Sequence, residues 1–138
     1  MAEQQRLLNG WFDPAALVRG LAVAVVPGLA ITLATAAADP GDDSPLTALS
    51  LVAVLAAFGA GGFVAGRRVP TRALSHGATV GLLGFVTIQV LVLPVSLFSD
   101  DGFETDKLPG LVFVAFLLSN VALVGGLLGS RMARSRPE

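Results

Sequence analysis

Four runs of the chain, residues 14–38, 46–66, 73–98 and 108–130, hold one charged side chain between them, Arg19. A hydrocarbon core about 30 Å thick is crossed by about 20 apolar residues of helix, so each run is long enough to span a bilayer. The competing reading is four buried helices of a soluble protein. Composition weighs against it, because 54% of the residues are hydrophobic and only 14% are charged. Water-soluble domains carry about 25% charged residues. With four such runs in 138 residues, no polar face is left to meet water. The expectation is a single all-α domain over 1–138, an integral membrane four-helix bundle.

Local signals agree with those limits. Asp13-Pro14 and Ser44-Pro45 each set a capping side chain before a proline at the first helical position. Thr71 and Asp106 are the corresponding candidates for spans three and four, with Pro109 just inside the last. The segment before Pro14 has one base, Arg6, against Glu3 and Asp13, and the apolar run after it is too long for a signal-peptide core. Trp11 and Phe12 fit an aromatic anchor at the headgroups.

The connecting loops are sorted by charge. Loop 39–45 holds Asp39, Asp42 and Asp43 without a base, and loop 99–107 holds four acids against Lys107. Loop 67–72 holds Arg67, Arg68 and Arg72 without an acid, and the tail carries Arg131, Arg134 and Arg136. Basic loops stay on the cytoplasmic side during insertion. Together with Arg6 and Arg19, these arginines predict two antiparallel hairpins with both termini and the central loop in the cytoplasm. The localisation that follows is a plasma membrane crossed several times. A net charge of −1 suggests no nucleic-acid partner.

Every span offers small residues four apart. They are Gly20, Ala24 and Gly28 in the first, Gly62 and Gly66 in the second, Gly77 and Gly81 in the third, and Gly125 and Gly129 in the fourth. Helices in lipid join mainly through close backbone approach, so these GxxxG lines are the expected packing faces. Packing within one chain and a glycine-faced homodimer are both open. The segments 61–68 (GGFVAGRR) and 125–132 (GGLLGSRM) are alike. A hairpin repeat about an axis along the membrane normal, and simple convergence of exiting helices, are two accounts of that likeness.

Chemistry-bearing residues are few. Without cysteine there is no thiol nucleophile or thiolate metal site, and one histidine builds neither a zinc nor a two-histidine haem site. No acid or base lies deep in a span, which argues against an ion-coupled transporter. Arg19 is near enough to the cytoplasmic surface to snorkel. The remaining intramembrane polar groups are the amides Gln89 and Asn120, whose depths counted from the adjoining loop predict a bond across the last hairpin. Thr32, Thr35, Thr87 and Ser119 are further candidates to line a solute path. His76 reads as an interfacial polar residue, and Pro27 and Pro94 as helix bends.

The stretch Gly61 to Leu83, GGFVAGRRVPTRALSHGATVGLL, resembles a pattern in small uncharacterised four-span prokaryotic membrane proteins. A glycine-rich exit, a basic turn and an H-G-A-x-x-G start follow in order, carried here by Gly62, Gly66, Arg67, Arg68, His76, Gly77, Ala78 and Gly81. The resemblance implies a four-span fold in a prokaryotic plasma membrane, and no activity. Small multidrug exporters have a similar size, but the membrane-embedded glutamate they need in the first helix is missing.

The expected function is therefore non-enzymatic, a structural or accessory subunit in the bilayer with no cofactor, catalytic or metal residues. Its partner would be a second copy or a larger membrane protein. The alternative is a small oligomeric channel or transporter with its polar path near Gln89 and Asn120.

Overall fold

The structure is a computed structural model that describes residues 13–41, 43–97 and 108–135, apart from the side chains of 93–97. It is all-helical over those residues. The helices are α1 (Pro14–Ala38), α2 (Pro45–Arg68), α3 (Ala73–Leu97) and α4 (Leu108–Arg134), with a 3₁₀ turn at Pro70–Arg72. Four helices are long and apolar enough to cross a membrane. The expected caps of the first two are in place. The Asp13 carboxylate accepts from the N–H groups of Ala15 and Ala16, and the Ser44 hydroxyl accepts from Leu46. Thr71 does not cap α3, because it lies inside the 3₁₀ turn that feeds the helix, whereas an N-cap needs extended backbone. Asp106, Trp11 and Phe12 lie outside the described residues.

Small residues line the interior. On α1 the buried residues are Ala16, Gly20, Ala24 and Gly28, one line of four-residue steps. The opposite faces carry large apolar side chains outward, with Val26 67% and Phe116 68% exposed. Apolar groups of that size turned outward all round a bundle mark a surface solvated by hydrocarbon.

The four helices do not pack equivalently. Helix α2 touches all three others, as does α3, while α1 and α4 do not touch among the described residues. The tightest seam joins α2 to α4. A Cβ on Gly62 would meet the Ala122 carbonyl, and one on Gly125 the Gly59 carbonyl. Likewise a Cβ on Gly66 would meet the Gly126 carbonyl, and one on Gly129 the Phe63 carbonyl. Contact numbers rise together along the two helices, which therefore run the same way. Backbone lies against backbone here, so the attraction comes from many short van der Waals contacts that any side chain would abolish.

This seam is reciprocal. Adding 63 to the α2 partner and subtracting it from the α4 partner turns 62·122 into 125·59, and 66·126 into 129·63. The sequence likeness of 61–68 with 125–132 has a shift of 64, so the contact symmetry is one residue out of step with it. The symmetry is also local. An exchange of whole hairpins would require α1 to touch α4 as α3 touches α2, and it does not. The structure thus departs from a repeat of whole hairpins.

The other helices meet through smaller steps. A Cβ on Gly61 would lie 2.5 Å from the Gly20 carbonyl, and one on Gly81 2.5 Å from Ser119 Cα. Further along α2, Phe58 is fully buried and fills the space left by Gly28 and Gly84, where added Cβ atoms would lie 3.3 Å and 2.9 Å from its ring. It is the largest fully buried side chain among the described residues, and it marks where glycine packing gives way to bulkier contacts.

Candidate functional site

One end of the bundle gathers the start of α1, the end of α2, the 3₁₀ turn, the start of α3 and the end of α4. His76 organises it. Its side chain is fully buried; Nε2 accepts from the Asp13 backbone N–H at 3.0 Å, and Nδ1 lies 3.1 Å from the Arg72 carbonyl. With Nε2 accepting, the proton is assigned to Nδ1, which donates to that carbonyl. The ring ties the cap of α1 to the first turn of α3. Arg134 donates to the Pro70 carbonyl at 2.8 Å and fastens the end of α4 to the same turn.

The arginines crowd this end. Arg19, Arg67, Arg68, Arg131 and Arg134 are exposed, Arg72 is half-buried, and the Arg67 guanidinium lies 5.6 Å from the centre of the Phe63 ring. Arg136 lies outside the described residues. The opposite end of the α1–α2 pair carries Asp39 and Asp43, both exposed. Charge is therefore separated along the helix axes, with the arginines at the end where glycine packing is tightest.

The two intramembrane amides do not meet. Asn120 is exposed, and its Nδ2 donates to the Phe116 carbonyl of its own helix at 2.7 Å. Gln89 is half-buried, and no hydrogen bond joins it to Asn120 among the described residues. Helix register explains the separation. A Cβ on Gly77 would contact Ala122 and Leu123, and one on Gly81 would contact Leu118 and Ser119. Asn120 thus sits level with residues 79–80 of α3, and Gln89 is about 14 Å farther along at about 1.5 Å per residue. Counting depth from the loop overlooked that offset.

A second feature lies at the acidic end. Between the last turns of α1 and the first turns of α2 is an open crevice of about 630 Å³. Its walls include Thr32, Thr35, Asp39, Thr47 and Ser50 with apolar Ile31, Val54 and Val114. Thr32 and Thr35 thus share a cavity. Thr87 is instead exposed, with its hydroxyl donating to the Leu83 carbonyl at 2.7 Å.

Sequence reasoning missed the burial of His76. The signal was available in the spacing, since His76, Val80 and Gly84 follow at four-residue steps and all lie on the buried face. Among the described residues, no group of three or more His, Asp or Glu is placed to hold a metal ion. No protein-family model, curated protein or solved structure matches the chain.

Proposed function

We propose that this chain is a non-enzymatic structural or accessory subunit of a plasma membrane, docked through the outward face of α4. The observation that carries this reading is Asn120. Its amide lies near the middle of a long apolar helix, turned away from the bundle, and its oxygen accepts no hydrogen bond among the described residues. The bond from its Nδ2 to the Phe116 carbonyl offsets part of the cost of an amide in an apolar medium, roughly 1–3 kcal/mol by mutational measure for a wholly unpaired group, and leaves the oxygen to be satisfied. A neighbouring span that supplies a hydrogen bond relieves that cost, typically by about 0.6–2 kcal/mol in membranes.

The topology that goes with this reading is two antiparallel hairpins, α1–α2 and α3–α4, joined by GxxxG-type contacts. The arginine-rich end and both termini face the cytoplasm, in accord with the retention of basic segments during insertion. The resemblance over Gly61–Leu83 implies a prokaryotic membrane. The channel reading draws less support, because Gln89 and Asn120 are separated in depth and Asn120 faces outward.

The absence of native cysteine makes the test clean. Phe116→Cys and Val124→Cys, one turn to either side of Asn120, are cross-linked in native membranes beside Val18→Cys on the outward face of α1. The expected result is a discrete adduct from the α4 positions alone, either with a larger protein or with a second copy, and its loss on adding Asn120→Leu. Equal adducts from Val18→Cys, or none from α4, overturn the reading.

A further inference from the structure

The crevice at the acidic end has an unusual hydrogen-bonding character. Thr32 and Thr35 donate their hydroxyl protons to the carbonyls of Gly28 and Ile31 at 2.8 Å and 2.9 Å. Across from them, Thr47 donates to the Gly41 carbonyl and Ser50 to the Thr47 carbonyl, each at 2.8 Å. Four hydroxyls therefore line the space with every proton already committed. What they offer an incoming group is oxygen lone pairs alone.

Two further features have the same sign. Asp39 is the C-cap of α1, held at φ 41° in the left-handed region with its N–H bonded to the Thr35 carbonyl. Its carboxylate thus lies where the last carbonyls of α1 end without helical partners and the helix dipole is negative. Among the described residues, no lysine, arginine or histidine lines the crevice. Acceptors, a carboxylate and a helix C-terminus converge there, with no base opposed to them among the described residues.

We propose that this crevice binds a primary ammonium group, which is a compact cation with three donors and no acceptor. Ile31, Val54 and Val114 form an apolar wall for an alkyl chain below the headgroup. The volume of about 630 Å³ is in the range of a small-ligand site. An ethanolamine phospholipid fits the arrangement, since the crevice lies at a bundle end and hence at headgroup depth. A choline headgroup does not, because its quaternary nitrogen has no N–H to give. The proposal rests on the reading of the chain as a membrane protein, but not on which end faces the cytoplasm.

The test uses the full chain in nanodiscs of equal phosphatidylethanolamine and phosphatidylcholine, with retained lipid identified by native mass spectrometry. Phosphatidylethanolamine is expected to be retained about tenfold over phosphatidylcholine, which corresponds to about 1.4 kcal/mol. Asp39→Asn, which keeps a residue tolerant of the left-handed region, is expected to bring the ratio close to one. Thr35→Val supplies an independent reduction, and Arg134→Gln at the other end leaves the ratio unchanged. Displacement of the lipid by free ethanolamine assigns recognition to the ammonium group itself; resistance to displacement assigns it to the whole lipid. Equal retention of the two lipids by the unsubstituted chain, or a preference untouched by both crevice variants, overturns the proposal. A chain that does not enter nanodiscs refutes the membrane reading instead.

Discussion

His76 Nε2 accepts a hydrogen bond from the backbone N–H of Asp13, 63 positions earlier, at 3.0 Å. The cap of the first helix is thereby completed by a side chain of the third. Asp13 itself uses its carboxylate to accept from the N–H groups of Ala15 and Ala16, so the residue accepts from its own helix and donates to another.

Replacing His76 by leucine is expected to destabilise the bundle by about 1–3 kcal/mol, since the Asp13 N–H loses a partner at a part-buried position. Thermal unfolding in detergent measures the loss. Hydrogen exchange adds a local readout, with the Asp13 and Ala15 amides exchanging faster while those near Phe58 are unchanged. Unaltered exchange at Asp13 would show that the bond carries no weight.

Glycine substitutions should divide by position. A Cβ on Gly62 would strike the Ala122 carbonyl, whereas one on Gly110 has nothing within 4 Å. Gly62→Ala is expected to cost about 1–3 kcal/mol through forced separation of α2 and α4. Gly110→Ala is expected to be neutral, or to gain up to about 1 kcal/mol from helix propensity. Unfolding midpoints of the two variants decide this, and equal midpoints count against backbone contact at the seam.

Phe58 and Gly84 should be coupled. Gly84→Ala presses a methyl to within 2.9 Å of the Phe58 ring edge, which is walled in by α1 and α3. Phe58→Leu alone leaves a void, but it frees the space that the new methyl needs. The double variant is expected to be more stable than the sum of the singles by about 0.5–3 kcal/mol, read from a double-mutant cycle. Strict additivity would place the strain elsewhere.

Orientation is open to labelling. Asp43→Cys and Thr71→Cys, both at exposed positions in a chain without cysteine, lie at opposite bundle ends. An impermeant maleimide is expected to reach Asp43→Cys in intact cells, and Thr71→Cys only after permeabilisation. The reverse pattern would invert the topology, and equal labelling of both would imply dual insertion.

The spans were legible because hydrocarbon thickness imposes a length that few other folds require. Residues 14–38 and the starts at 73 and 108 agree with the structure, and α4 runs four residues beyond 130 because Arg131 and Arg134 continue the helix past the apolar run. The caps at Asp13 and Ser44 were legible from chemistry next door in sequence. Thr71 was misread because a 3₁₀ turn and an extended cap look alike when only the residue types are known. The Gln89–Asn120 pairing failed for a different reason. Composition fixes where a helix starts, but vertical register comes from Gly77 and Gly81 against residues 118–123. Nothing local encodes that offset. The burial of His76 was encoded by its four-residue spacing from Val80, yet a lone polar residue near a span end is more readily assigned to the interface.

The reciprocal seam between α2 and α4 also sets an order of assembly. Before α4 is made, the line formed by Gly59, Gly62 and Gly66 on α2 has no side chains to fill its own groove. Its occupant arrives last in the chain, so biogenesis has a waiting period in which a notched helix stands open in the membrane.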